Sequence, residues 1–169
     1  MSKEKNYTIF ENQSLQLFHY DKFFLFFKEM HKKNMLPKKI LLSGLRGMGK
    51  ATFAMHFINY ILTFDKKTHY DEKNFRINVL SNVYQLILQN IHPNFYYIKN
   101  PEDKKKISID QIRGLISFLN KTSFNNENKR FILIDGIENL NDSSSNSLLK
   151  TLEEPNEDVF FIFIYNSSK

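Results

Sequence analysis

Apolar and polar residues alternate in blocks along this chain, and the blocks predict strands separated by helices. Four short apolar runs have the continuous character of strands that are buried on both faces. Because strands of that kind occur in parallel sheets with helices on both sides, the pattern predicts an α/β fold. The four predicted strands are Ile40 to Ser43, Phe95 to Ile98, Phe131 to Asp135 and Val159 to Tyr165.

Helical spacing of apolar residues fills the intervals between the strands. It follows the first strand and the second, where apolar residues recur at three- and four-residue steps. Two more helices are predicted, one before the first strand and one before the second. The first two patterns are Phe53, Phe57, Ile61 and Ile109, Ile112, Ile116, Leu119, and the other two helices are predicted over Leu15 to Met30 and Ile77 to Ile91.

The last predicted helix lies between the third and fourth strands. It begins near Asn141 to Ser143, whose side-chain oxygens can cap a helix, and it ends at Pro155. Its spacing directs Leu148, Leu149 and Leu152 towards the core. Two aromatic clusters are also expected in the core, because large apolar side chains are most often buried. They are Phe23, Phe24, Phe26, Phe27 and Phe160, Phe161, Phe163.

The composition narrows the class of protein. A chain of 169 residues with 41% hydrophobic residues is predicted to form one domain over residues 1–169. It has no cysteine, which excludes a disulfide framework and a thiolate zinc site and favours a cytoplasmic location. No apolar run approaches the roughly 20 residues of a membrane span. The net charge of +6 predicts a solvated basic surface, with a plain DNA-binding module as the alternative.

A glycine-rich loop directly follows the first predicted strand and precedes a helix. Gly44, Gly47, Gly49 and Lys50 stand in the pattern G-x-x-x-x-G-K. In that context the glycines allow successive backbone N–H groups to surround an anion, and the helix N-terminus and the lysine add positive charge. The loop therefore predicts a phosphate-binding site for ATP or ADP.

The next position of this pattern is ordinarily Ser or Thr, whose hydroxyl binds Mg²⁺. Here it is Ala51, and Thr52 follows one residue later. A methyl group cannot bind a metal ion, so Mg²⁺ binding is doubtful and no residue is predicted as a metal ligand. Thr52 remains a predicted nucleotide contact, and nucleotide binding is expected to be weak.

The third predicted strand ends in an acid, Asp135, at the position of a Walker B carboxylate. An active ATPase of this kind carries a glutamate next, which orients the attacking water, but here the residue is Gly136. Glu138 follows two residues later and is interpreted as a surface acid that points away from the site. No catalytic residue is predicted, and hydrolysis is expected to be slow or absent.

The segment from Asn141 to Pro155 resembles a signature of bacterial clamp-loader subunits, written N-x-x-A-x-N-A-L-L-K-x-L-E-E-P. Serines replace two small alanines in it. The loop ending Gly-Lys-Ala-Thr, the stretch His92 to Asn94 and the helix start from Ile107 to Arg113 are similar to the delta-prime subunits of DNA polymerase III rather than to the gamma/tau ATPase. Together these pieces are spread along most of the chain.

This resemblance implies an AAA+-type P-loop domain, RecA-like in its sheet, with Asn166 as a polar sensor at the end of the fourth strand. A strand-terminal asparagine is also an ordinary turn residue. The four-cysteine zinc module of many relatives is missing from Thr63 to Phe75, so no zinc is expected. The lid and the C-terminal collar domain of the family are expected beyond Lys169.

The resemblance also implies partners and a role. The expected partners are the delta and gamma/tau subunits, and, through the complex, the sliding clamp and primer-template DNA. The expected role is to support ATP-driven loading of the sliding clamp during DNA replication. The alternative is an active gamma/tau-like ATPase.

Overall fold

The computed structural model describes residues 14–64, 67–100, 106–121, 129–153 and 158–167. Its four strands form one sheet in the order β1-β4-β3-β2, and every neighbouring pair is parallel. The predicted α/β class and all four predicted strands are confirmed. The strands are β1 (Lys39–Leu45), β2 (Phe95–Lys99), β3 (Arg130–Asp135) and β4 (Val159–Ser167).

Helices cover both faces of the sheet at the inner strands β3 and β4. The edge strand β1, contrary to the prediction, is not covered on both faces and leaves Leu41 58% exposed. Alternate residues of β3 belong to different cores: Phe131 and Leu133 face one side, and Ile132 and Ile134 face the other. The first side carries α1 (Asp21–Lys32), α2 (Lys50–Thr63) and α3 (Asn82–Leu88), and the second carries α4 (Ile109–Asn120) and α5 (Asp142–Glu153). No helix in the described ranges has the length and apolar character to cross a membrane.

Helix α2 is the central helix of the first layer. Ten of its 14 residues are buried, because it packs between α1, α3 and the sheet. Phe53 and Phe57 are buried in this layer, as their spacing predicts. This burial fixes the direction of α2, and its first turn therefore has a fixed position at the carboxyl edge of the sheet.

The predicted helix from Leu15 to Met30 is wrong in its first part. Leu15 and Leu17 instead pair in an antiparallel manner with the segment 75–77, through Leu17 N–H to Phe75 O and Ile77 N–H to Leu15 O, both 2.9 Å. The same pairing explains why the helix predicted from Ile77 begins only at Asn82. Backbone groups used in this pairing are not available to a helix.

Two further predictions of burial are wrong. In α1, Phe24 is fully buried, but Phe23 and Phe26 are 60% and 59% exposed because they lie on the outer side of the helix. In α5, Leu148 is 4% exposed, whereas Leu149 is 56% exposed. Phe24 faces α2 and Leu148 faces the core on the second side of the sheet, and the three exposed side chains lie off those faces.

The cap predicted for α5 is confirmed. Asn141 Oδ1 accepts a hydrogen bond of 2.8 Å from the Ser144 N–H and one of 3.0 Å from the Ser143 hydroxyl. Helix α4 begins in a similar way, where Ser108 and Gln111 form a reciprocal capping box. The predicted end of α5 at Pro155 lies outside the described residues.

Candidate functional site

The glycine loop, the Walker B acid and the predicted sensor meet at the carboxyl edge of the sheet. Gly44 of β1 pairs with Asn166 of β4, and Asp135 of β3 pairs with Ile164. Asn166 therefore lies within a strand, beside the beginning of the loop, rather than in a turn. In open parallel sheets, ligands bind in the crevice outside these carboxyl ends. The sequence-predicted residues are brought together at such a place.

The loop has the backbone conformation that its glycines permit. Gly47 and Gly49 have φ angles of +86° and +80°, in the left-handed region that side chains disfavour. Gly49 is the residue before α2, and its carbonyl accepts the first helical hydrogen bond, from Phe53 N–H at 2.9 Å. The unpaired N–H groups at the start of α2 therefore point out of the helix end towards the loop.

Lys50 is nearly buried, at 7% exposure, and its ammonium lies inside the loop. Nζ donates to the carbonyl oxygens of Gly44 and Leu45, at 2.8 and 2.7 Å. A buried ammonium requires such partners, and it has three N–H donors in all. Two of the ammonium N–H groups bind the loop carbonyls, and the third can donate to an anion. The residues present thus fit the phosphates of a nucleotide.

Tyr20 is a site residue that the sequence analysis missed. Its hydroxyl donates to the carbonyl oxygen of Met48 in the loop, and its ring stacks on Phe53 with centroids 5.3 Å apart. A side chain at position 49 would approach the Tyr20 ring to 3.4 Å. Tyr20 therefore holds the loop against α2. Nothing in the local pattern indicated this contact, because Tyr20 lay within a predicted helix.

The first turn of α2 contains Ala51 and Thr52, both half-buried. Ala51 packs against the apolar core. In the ranges that the structure describes, no three His, Asp or Glu side chains cluster as metal ligands would. Position 51 offers a methyl group and no oxygen ligand, and we assign no step to Mg²⁺.

Asp135 is half-buried at the end of β3, 3.3 Å from the Tyr97 hydroxyl that donates to it. Burial raises the pKa of the Asp135 carboxyl, and the nearby charge of Glu138 acts in the same direction. The Tyr97 hydrogen bond, the charge of Lys50 and a hydrogen bond from the Asn166 side chain act against this rise in pKa. The acid and the lysine of the predicted site are therefore electrostatically coupled.

Gly136 has a backbone conformation that disfavours a side chain at this position. Its φ is +84°, and a Cβ at this position would lie 2.8 Å from Asn139 Nδ2. The Gly136 N–H donates to Ile164 O at 3.0 Å, which fixes this backbone against β4. Position 136 therefore has a conformation that a glutamate adopts only with strain.

The interpretation of Glu138 as an acid that points away from the site is wrong. Glu138 lies in a short 3₁₀ helix, Ile137–Asn139, and its side chain is exposed but turned back to β4. Its carboxylate accepts from both the Asn166 side chain, at 3.0 Å, and the Asn166 backbone N–H, at 3.1 Å. The spacing of two residues was misleading because the 3₁₀ turn after Gly136 packs against β4.

Comparison with known proteins agrees with this geometry. A family model described as "DNA polymerase III, delta subunit" matches residues 20–169, and the curated relatives carry the name delta-prime. The chain belongs to the DNA polymerase III delta-prime family. The delta-prime subunit of Pseudomonas aeruginosa is 32% identical over 80 residues, which is 47% of this chain and 24% of that protein.

Two more delta-prime proteins show how far the similarity extends. The one from Haemophilus influenzae is 34% identical over 77 residues, or 46% of this chain and 23% of that protein. The one from Buchnera aphidicola is 28% identical over 143 residues, or 83% of this chain and 40% of that protein. The chain thus spans well under half the length of these delta-prime relatives.

A solved structure supports the fold. A DNA polymerase III gamma subunit-related protein from Thermotoga maritima superimposes with a TM-score of 0.57 at 19% identity. The match covers 83% of this chain and 39% of that one. At this identity it supports the fold of the delta-prime family member and nothing finer.

Proposed function

We propose that this chain is the nucleotide-binding core of a delta-prime clamp-loader subunit that acts in DNA replication. In this role it binds ATP or ADP weakly and supports a neighbouring ATPase that loads the sliding clamp onto primed DNA. Family membership supports the replication role. The single observation that carries the nucleotide part is Lys50, whose buried ammonium is held inside the glycine loop by two carbonyl oxygens.

Weak or absent hydrolysis follows from two positions in this site. Ala51 offers a methyl group where a hydroxyl would help to place a metal ion. Gly136 offers no carboxylate to orient water, and its left-handed backbone disfavours one. Phosphoryl transfer depends on positioning and on charge stabilisation, so the loss of both groups lowers the rate far more than it lowers binding.

The partners belong to the same proposal. The gamma/tau and delta subunits would contact this chain within the clamp loader, and the sliding clamp and primer-template DNA would be reached through the complex. The shared family of the curated relatives supports this assignment.

Two measurements on the 169-residue chain test the proposal. Calorimetric titration with ADP and ATP is expected to show weak binding that a Lys50→Ala variant loses. Steady-state phosphate release is expected to be no faster than in that variant. Absence of binding would contradict the nucleotide part. Turnover clearly above the variant would instead support an active gamma/tau-like ATPase.

A further inference from the structure

Gly136 and Glu138 occupy one small region at the carboxyl edge of the sheet. The nearest Glu138 oxygen lies 3.6 Å from the position that a Cβ of residue 136 would take. A carboxylate from two residues further along therefore lies beside position 136. Its location is fixed by the bidentate contact with Asn166, at 3.0 and 3.1 Å.

The same carboxylate lies among the charges of the phosphate loop. Asn166, to which it binds, pairs with Gly44, whose carbonyl accepts from Lys50 Nζ. Both Glu138 and Lys50 act electrostatically on Asp135. An anion bound to Lys50 therefore lies at the same edge of the sheet as two carboxylates, and the Asn166 side chain already hydrogen-bonds both of them.

We propose that Glu138 determines which nucleotide this site accepts, by opposing the more highly charged phosphate chain of a triphosphate. It acts in two ways: its negative charge repels the phosphates, and it occupies the Asn166 amide that could otherwise donate to one. A diphosphate carries less charge and is opposed less. In the absence of a divalent cation the site therefore prefers ADP to ATP. This inference rests on the proposed nucleotide binding.

A variant of the same size tests the inference. Glu138→Gln removes the negative charge and one of the two oxygens that accept from Asn166, so it weakens both of the proposed effects. In EDTA, it is expected to raise the affinity for ATP by about tenfold, the order expected when one like charge close to a ligand is removed. The affinity for ADP is expected to rise by a smaller factor. Both are measured by calorimetric titration.

Glu29→Gln provides a matched control. Glu29 is an exposed glutamate on α1, and the same change of charge there leaves the phosphate loop untouched. The ratio of ATP to ADP affinity is expected to stay at the parent value in this variant. If Glu29→Gln changes the ratio as much as Glu138→Gln does, the effect is one of net charge and the inference is overturned.

A measurement without nucleotide tests the contact itself. The side-chain NH₂ resonance of Asn166, assigned by its loss in Asn166→Ala, is expected to move in Glu138→Gln, because its carboxylate acceptor becomes a neutral amide. It is expected to stay in place in Glu29→Gln. A resonance at the same position in the parent and in Glu138→Gln would overturn the inference, because Asn166 would not be bound to the Glu138 carboxylate.

The outcomes separate the two proposals. If nucleotides bind and Glu138→Gln leaves the ratio of ATP to ADP affinity unchanged, this inference fails while the proposed function stands. If neither the parent nor Glu138→Gln binds either nucleotide, the proposed function fails, and nucleotide selection by Glu138 fails with it. A selective gain for ATP, together with a displaced Asn166 resonance in Glu138→Gln, supports both.

Discussion

The hydroxyl of Ser144 donates to the carbonyl oxygen of Ile107, at 3.1 Å, and both residues are fully buried. The contact joins α5, which carries the clamp-loader signature, to the segment before α4. The Ile107 N–H in turn donates to Asn139 O at 2.9 Å. The signature helix, the start of α4 and the turn that carries Glu138 are therefore held as one unit.

Replacing Ser144 by Ala is expected to lower the free energy of unfolding by about 1 kcal/mol, because the Ile107 carbonyl loses a buried hydrogen bond. The measurement is urea denaturation followed by circular dichroism. Ser143→Ala is the control, since the Ser143 hydroxyl is exposed and donates only to the capping side chain of Asn141. Equal losses in the two variants would contradict the importance of the Ser144 contact.

Adjacent leucines of α5 provide a second test. Leu148→Asp places a carboxylate in the core and is expected to destabilise the protein by several kcal/mol, on the order of its whole stability. Leu149→Asp is expected to change stability by less than about 1 kcal/mol, because this side chain is largely exposed. Thermal denaturation of both variants checks the pair. Unfolding caused by Leu149→Asp would mean that another surface covers this leucine.

Restoring the hydroxyl at position 51 tests the metal side of the site. Ala51→Ser is expected to strengthen ATP binding only when Mg²⁺ is present, because the added oxygen acts through the metal ion. Titrations of the parent and the variant, each with Mg²⁺ and with EDTA, give the comparison. Tight, Mg²⁺-dependent binding by the parent would show that Thr52 or another group replaces the missing hydroxyl.

Acid is expected to weaken the fold through His56, which is fully buried in α2. Its Nε2 lies 2.9 Å from the Ser14 carbonyl oxygen and its Nδ1 lies 2.8 Å from the Tyr70 hydroxyl. The carbonyl can only accept, so Nε2 carries the proton and Nδ1 accepts from Tyr70. Burial lowers the pKa of His56, and the Ser14 carbonyl opposes this only in part.

The unfolded chain therefore binds a proton at His56 more readily than the folded protein does. The stability that depends on neutral His56 is fully present above the pKa of an unfolded histidine, about 6.5, and is lost as the pH falls below it. Between pH 7.5 and 5.5, the parent is expected to lose about 1 kcal/mol more than His56→Gln. Burial and Lys129 lower the pKa of His31 too, but His31 is common to both proteins. Equal losses would contradict the prediction.

The sequence predicted the strands well because a run such as Phe131 to Ile134 is apolar at every position. That pattern is typical of a strand with helices on both of its faces. The loop was also predictable, since Gly44, Gly49 and Lys50 are local in sequence. The contacts of Tyr20 and Glu138 were not, because each joins residues 28 positions apart. Helical spacing also failed to choose between Leu148 and Leu149, since that choice depends on how α5 is rotated against the sheet.

The left-handed backbone at Gly136 means that exchanging this residue changes the stability of the fold as well as its chemistry. A side chain at position 136 would meet the Asn139 amide, which ends a flexible side chain and can move aside. The φ of +84° would remain, at a cost on the order of 1–2 kcal/mol for a residue other than glycine. A carboxylate introduced at position 136 therefore lowers the free energy of unfolding, even though it supplies a group of the kind that orients water.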